Sequence, residues 1–525
     1  MYRKLLYHLI AIAAVWAFNA PATAAGAQRF IDVDVARAGA PISRSFNFSV
    51  GSDYPGTLVR PQSLGQLKTA IEELGFRYIR FHAIFHDVLG TVKVIDGRTT
   101  YDWTGLDRLY DALRARGIRP FVELGFTPQA LKTSDNKIFY WNGNTSHPRP
   151  DGWRDLVGAF VRHLESRYGR AEVRRWYFEV WNEPNLDGFW EKADKRAYFE
   201  LYENSARTIK AIDPMLKVGG PSTAGAAWVS DFLDFAANRS VPVDFVTTHT
   251  YGVDGGFLDE KGHDDNKLSA DPDSIVGDVR RVRKQIAGSK FPQLLLYFSE
   301  WSSSYSPRDP VHDSYISAAY ILTKLKATRA YAQGMSYWTY SDLFEESGPP
   351  PTPFHGGFGL MNREGIRKPA WFAFAYLNLL HGGEVAVSDD QTLSATDGRR
   401  TAVLIWNWVQ PAQESSNRPF FTKVHPATPS TPATVQLSHL TPGSYRLVIR
   451  RTGYKANDPQ TRYLEMGSPN SLNQVQLSEL RRLTRDVPES DHAVTVGGDG
   501  RLTISAPMRT NDVVLLVVES RAGRP

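Results

Sequence analysis

Cysteine is absent from all 525 residues. That excludes disulfides, a zinc–thiolate centre and a lipidated cysteine anchor. No dense run of Lys or Arg occurs, and 61 basic against 56 acidic residues leave a net charge of only +5, so nucleic acid is not an expected partner. Beyond the N-terminus no stretch is long and apolar enough to cross a bilayer, and no repeat of solenoid type is found. What the chain has in plenty is apolar and aromatic side chains, 42% and 12% respectively. The first permits a large core, and the second reads as core packing before ligand stacking. The N-terminus begins with Arg3 and Lys4, runs apolar from residue 5 to 18 with His8 as the main break, and then offers Ala22-Thr-Ala24. This is the pattern of a signal peptide over residues 1–24, with a secreted or periplasmic mature protein expected and no membrane association.

From residue 45 to 380 short apolar runs alternate with amphipathic stretches. The expected strands cover 46–50, 78–81, 120–124, 177–181, 217–220, 244–249, 294–300 and 334–339. Helical periodicity lies between them and again over 370–380. Eight strand-then-helix units predict an α/β fold, a (β/α)8 barrel of the TIM type. After residue 380 the runs shorten, become β-rich and are separated by turn signals such as Gly497-Gly-Asp-Gly500, which predicts an accessory antiparallel β-sandwich over 381–525. The stretch 411–432, rich in Pro, Ser and Thr, reads as a long loop. Residues 25–44 contain an alternating segment at 30–35 that is expected to join the sandwich. Trp406 and Trp408 alternate as core residues would, so the sandwich is read as stabilising packing.

In such a barrel, functional side chains sit at the C-terminal ends of strands. Glu183 in Trp176-Tyr-Phe-Glu-Val-Trp-Asn-Glu-Pro-Asn185 follows the fourth strand, and Glu300 in Leu294-Leu-Leu-Tyr-Phe-Ser-Glu-Trp301 ends the seventh. A carboxylate closing an apolar strand needs a reason, because burying it unpaired is costly. At roughly 30 to 40 residues per unit the two are three units apart, which sets them on opposite sides of one barrel mouth. Cleavage of a glycosidic bond needs such a pair, one acid to protonate the leaving oxygen and one carboxylate to attack the anomeric carbon or activate water. Asn182 stands where its amide can meet a sugar 2-hydroxyl. Glu123, ending the third strand, reads as the partner of a barrel arginine.

These residues resemble the retaining hydrolases of glycoside hydrolase clan A, and most closely family 39, the β-xylosidases. The resemblance rests on Phe178-Glu-Val-Trp-Asn-Glu-Pro-Asn-Leu186 with Phe189-Trp190, and on Lys217-Val-Gly-Gly-Pro221, Val241-Pro-Val-Asp-Phe-Val246 and Thr248-His-Thr-Tyr251. It continues through residues 302–307, Pro310-Val-His-Asp313, Ser336-Tyr-Trp-Thr339, Phe344-Glu-Glu346 and Phe354-His-Gly-Gly-Phe-Gly-Leu360. It covers about residues 45–380 and implies Glu183 as general acid/base and Glu300 as nucleophile. It further implies Asn182, His249 and Tyr251 around the bound sugar or the carboxylates, Trp338 as a stacking floor, Glu345, Glu346 and His82 on sugar hydroxyls, and Phe189 at the entrance. Tyr305, just after the seventh strand, is expected to bond Glu300. Two departures touch the pocket: Ser299-Glu-Trp301 where the family often has Thr-Glu-Tyr, and Phe81 where a smaller residue is common.

The implied activity is an exo-acting β-D-xylosidase working on xylo-oligosaccharides with no cofactor and no metal. The sequence leaves oligomeric state open. An α-L-iduronidase-like activity would need a cation for the uronic carboxylate, for which Arg363 and Arg367 are the nearest candidates. An endo-acting hydrolase is the other enzymatic alternative. A non-catalytic carbohydrate-binding protein is opposed by the presence of both carboxylates.

Overall fold

Strand and helix alternate through the middle of the chain because the hydrophobic period switches repeatedly between 2 and 3.6. The computed structural model describes residues 29–521; the expected signal peptide lies outside them. Eight parallel strands close into a barrel: β1 (Ser49–Ser52), β2 (Tyr78–Phe81), β3 (Arg119–Leu124), β4 (Tyr177–Val180), β5 (Lys217–Thr223), β6 (Phe245–Tyr251), β7 (Leu295–Ser302) and β8 (Gly334–Tyr337). The fold is therefore the expected (β/α)8 barrel. The first strand starts three residues later than the sequence predicts, because Ser45–Asn47 winds into a 3-10 turn.

A helix follows every strand. Three of them begin with Pro61, Pro150 and Pro369 at the first helical position, where the missing N–H has no intrahelical role. The first ends on Gly75 at φ 74°, a left-handed cap that glycine adopts without steric cost. Helix Ser317–Thr328 buries nine of its twelve residues. It lies between the barrel and the second module, where Thr323 accepts a hydrogen bond from Trp406 Nε1 at 2.9 Å.

The second module stacks a seven-stranded sheet on a three-stranded one. Val403, Ile405, Val514, Leu516 and Val518 of the large sheet meet Ile31, Val33, Val435, Leu437 and Ile504 of the small one in a shared core. The opposite face of the large sheet, with Leu404, Trp406, Val513 and Leu515, joins the barrel core. Both faces are thus covered, which is why these strands read as continuous apolar runs. Arg29–Asp34 joins the small sheet, pairing in parallel with Pro429–Ser438, an exception to the otherwise antiparallel pairing. Ala38–Pro41 edges the large sheet.

The module is not all β. The stretch expected to be a long loop holds helix Asn417–Phe421 and the start of strand Pro429–Ser438. Helices Pro459–Glu465 and Gln474–Leu483 follow later. The last is announced by a capping box, Asn473 with Gln476, a sequence signal for a helix start that a β-rich reading passes over. Among the described residues no helix is long and apolar enough to cross a membrane.

Candidate active site

The strand period of two sorts the barrel interior into layers. The inward side chains nearest the N-terminal end are aromatic: Phe48, Tyr78, Phe121, Tyr177, Phe245 and Tyr297 pack together and close the floor. One inward step higher stand Arg80, Glu123 and Glu179, all fully buried. Glu123 and Glu179 are register partners on adjacent strands, a like-charge pair that only a cation between them can stabilise. Arg80 is that cation. It lies 3.1 Å from Glu123 and 2.5 Å from Glu179, and its Nη1 donates to Glu300 Oε1 at 2.6 Å. Its remaining Nη2 donates to Asn182 Oδ1 at 2.8 Å.

Glu300 reaches the mouth through an irregularity. Pairing of β7 with both neighbours slips around Ser299 and Glu300, so that His249 stands beside Glu300. A bulge of this kind turns two consecutive residues to one side. Ser299 Oγ donates to Glu179 Oε1 at 2.6 Å, while Glu300 accepts from Arg80 and, at 2.8 Å, from Tyr251 Oη. Glu183 is placed by a strained segment after β4, with Trp181 at φ 70° and Glu183 at φ 45°. Such backbone persists where the surroundings over-determine it. Here Trp181 is wedged among Phe126, Trp153 and Trp190, its Nε1 donates to Phe189 O, and Glu183 N donates to Ser222 O.

The two carboxylates face each other with oxygens within 4.8 Å, and His249 lies within the same distance of both. Glu300 is 4% exposed and Glu183 8%. Burial raises the Glu183 carboxyl to about 7, against the opposing pull of His82 and Arg80 and with a further rise from Glu123. Burial likewise lowers His249 to about 4, so its ring is neutral. His82 is held charged in spite of its burial by Glu123, 2.7 Å from Nδ1, with Glu346 3.2 Å from Nε2. With Arg80 and His82 already supplying positive charge beside Glu300, the cluster reads as a hydrogen-bonded acid pair.

A cavity of about 630 Å³ opens above the pair. His82, Asn182, Glu183, Phe189, Tyr251, Glu300, Tyr305, Trp338 and Glu346 all line it. Trp338 can lie across the floor because β1 carries Gly51 there; a Cβ on Gly51 would sit 2.1 Å from the indole. Asn182 lines the cavity, and its Nδ2 is a buried donor with no partner. His249 stands behind Glu183 rather than in the wall.

Two expectations are corrected. Glu345 does not line the cavity: its carboxylate turns away to Arg60, 2.5 Å from Nη1, and its N–H donates to Asp53. Tyr305 is 52% exposed at the rim, and the hydroxyl on Glu300 belongs to Tyr251. Arg363 and Arg367 pair with Glu364 and Glu73, away from the cavity. Glu123 pairs with the barrel arginine as anticipated. Arg80, Glu179 and Ser299 are the functional neighbours that motif reading passed over. The signal was there: each is a polar residue at an inward position of an otherwise apolar strand.

A closed (β/α)8 barrel with a facing pair of buried carboxylates at the C-terminal end of its strands defines a glycosidase. The chain belongs to glycosyl hydrolases family 39, whose family model matches residues 29–503. It is 43% identical over 376 residues to a beta-xylosidase of Geobacillus stearothermophilus, covering 70% of this chain and 74% of that one. Among solved structures, the GH39 enzyme from Xanthomonas axonopodis pv. citri is 64% identical with a TM-score of 0.93, over 94% of this chain and 97% of that one. A monomeric beta-xylosidase from Caulobacter crescentus CB15 is 62% identical with a TM-score of 0.93, over 94% and 100%.

Proposed function

We propose that the protein is an exo-acting β-D-xylosidase that releases xylose from the non-reducing end of xylo-oligosaccharides with retention of configuration. The observation that carries this reading is the Glu183–Glu300 pair, with oxygens within 4.8 Å across one cavity. That spacing fits the roughly 5 to 5.5 Å of a pair in which one carboxylate attacks directly, and falls short of the roughly 6.5 to 9.5 Å that inversion through a water requires. Glu300, ion-paired with Arg80, attacks the anomeric carbon. Glu183, protonated because its charged form is desolvated, gives its proton to the leaving oxygen. A covalent xylosyl ester on Glu300 results. Its formation removes the negative charge facing Glu183, which lets Glu183 ionise and take a proton from the water that completes hydrolysis. Asn182 Nδ2, free and buried, is the donor for the sugar 2-hydroxyl, and Trp338 is the floor under the ring.

Exo action is supported by the wall. Residues that follow seven of the eight strands line the cavity, which encloses one chain end better than it passes a polymer through. The family relatives named above as beta-xylosidases support xylose as the sugar. An iduronide is disfavoured because the lining holds no Lys or Arg, and its charged histidine, His82, is already paired with Glu123 and Glu346. The N-terminal segment supports action outside the cytoplasm; N-terminal sequencing of the mature protein checks it. The central test is hydrolysis of a panel of aryl glycosides. Release from the β-xyloside is expected, and its loss in Glu300→Ala. In Glu183→Ala an activated leaving group should still depart, with azide giving a product of retained configuration. An inverted azide product, or activity on iduronides alone, overturns the proposal.

A further inference from the structure

An unbroken chain of buried contacts runs from Glu183 to Glu300 through the barrel wall. Glu183 Oε1 lies 2.8 Å from His249 Nδ1, and His249 Nε2 lies 3.1 Å from Ser299 Oγ. Ser299 Oγ lies 2.6 Å from Glu179 Oε1, Glu179 Oε2 lies 2.5 Å from Arg80 Nε, and Arg80 Nη1 lies 2.6 Å from Glu300 Oε1. Every member is buried. The donor and acceptor inventory fixes the direction of these bonds. Glu179, ion-paired with Arg80, is a carboxylate and only accepts, so the Ser299 hydroxyl donates to it. Ser299 Oγ then has only lone pairs left for His249, so His249 Nε2 carries the ring proton and donates. In a neutral ring the other nitrogen is then an acceptor.

We propose that Ser299 and Glu179 are positioning residues that lock His249 as the Nε2–H tautomer, so that its Nδ1 lone pair faces Glu183 and holds the acid/base in its protonated form until substrate arrives. This rests on the reading of Glu183 as acid/base given above. In the first step the Glu183 hydroxyl turns from Nδ1 to the leaving oxygen and its O–H bond breaks as the proton passes across; the glycosidic C–O bond breaks, and Glu300 bonds the anomeric carbon. The ionised Glu183 then faces a lone pair rather than an N–H, which makes it the stronger base toward water in the second step. One hydrogen-bond direction thus serves both halves of the reaction. The Ser299 departure from the family's frequent threonine keeps the hydroxyl that this role requires.

Other charged or titratable groups act on Glu183 or His249: Arg80 from β2, His82 just after it, Glu123 from β3, Glu179 from β4, Tyr251 from β6 and Glu300 from β7, while Glu346 from the segment after β8 acts on Tyr251 beside them. Of these only Glu179 loses a bond in Ser299→Ala, and Ser299→Thr, which keeps the hydroxyl, controls for that loss.

The pH profile of kcat/KM on an aryl β-xyloside is measured for the unaltered enzyme, Ser299→Ala and Ser299→Thr. Without the hydroxyl, His249 is free to carry its proton on Nδ1 and donate to ionised Glu183. The basic limb should then move to lower pH by about one unit. Threonine, which restores the hydroxyl, should return the limb to its original place. A basic limb unchanged in Ser299→Ala, or moved equally in both variants, overturns the proposal. The pH dependence of Tm gives a substrate-free readout. A raised Glu183 pKa makes stability fall as pH climbs toward it, and that fall should be smaller in Ser299→Ala than in Ser299→Thr; an equal fall overturns the proposal. An unaltered enzyme inactive on every glycoside sinks the functional reading instead, and the Tm comparison still decides the tautomer. Should the alanine variant not fold, Ser299→Val against Ser299→Thr makes the same comparison in isosteric side chains.

Discussion

The two ends of the barrel are built from the same strands and obey opposite rules. At the floor, Phe48 stacks on Tyr297 with ring centroids 4.5 Å apart, and Phe121 stacks on Tyr177 at 5.2 Å. Two or three residues further along those strands are Glu123, Glu179 and Glu300, tied by Arg80. The floor is filled by uncharged aromatic side chains held by packing, with a hydroxyl contact between Tyr177 and Tyr297 at 3.1 Å. The mouth is filled by charges that are costly to bury and are tolerated only as a closed network. Stability is concentrated where chemistry is absent, and chemistry sits where the interior is held together least cheaply, as expected of the two faces of such barrels.

The sharpest way to break that comparison is to remove the nucleophile. Glu300→Ala should lower kcat on an aryl β-xyloside by ~10⁴-fold or more, measured beside a melting curve to show that the fold persists. Next in size is the centre of the network. Arg80→Met leaves Glu123, Glu179 and Glu300 without their shared cation, which should cost about 3–5 kcal/mol of stability together with most of the activity. Chemical denaturation and turnover are the readouts. A variant that kept either one intact would show that the mouth does not depend on a single cation.

A subtler test concerns the sign of an electrostatic cost at the mouth. Burial raises Glu183 to about 7, above its value in the unfolded chain. The folded state therefore binds the proton more tightly, and stability is present at low pH and lost as pH rises from about 4.5 toward 7. Glu183→Gln cannot ionise. It should be inactive with demanding leaving groups, and above pH 7 it should be more stable than the unaltered enzyme by about 1–3 kcal/mol, with the difference vanishing near pH 4. Denaturant midpoints at the two pH values decide it. A difference that did not depend on pH would remove the claim that the mouth carries a cost for function.

How much of this was legible beforehand follows the same division. The strands, the helices between them and the two carboxylates announce themselves, because apolar period and the Trp181-Asn-Glu-Pro184 run are local features of the chain. The network is not local. Arg80, Glu179 and Ser299 matter through register between strands that are distant in sequence. The strict strand period would have put Ser299 and Glu300 on opposite faces, and only the bulge in β7 turns both inward. The adjacent Glu345 and Glu346 are indistinguishable by type, and the competing attraction of Arg60 decides which one leaves the cavity. The hydroxyl on Glu300 comes from Tyr251 on β6 rather than from the nearer-in-sequence Tyr305, because β6 lies directly beside β7.

The smallest expected effect sharpens the comparison from the other end. Phe121 meets Tyr177, Phe48, Phe245 and Tyr297 with ring centroids between 5.2 and 6.1 Å. Phe121→Leu keeps most of the buried area and loses the ring geometry, which should lower stability by about 1 kcal/mol. Glu123 follows two residues later on the same strand, so a floor that communicated with the mouth would show it here first. The expectation is that kcat/KM and its pH profile stay those of the unaltered enzyme while the denaturation midpoint falls. A shifted basic limb in Phe121→Leu would mean that the aromatic layer sets the geometry of the Arg80 network, and that the two ends of the barrel are one unit rather than two.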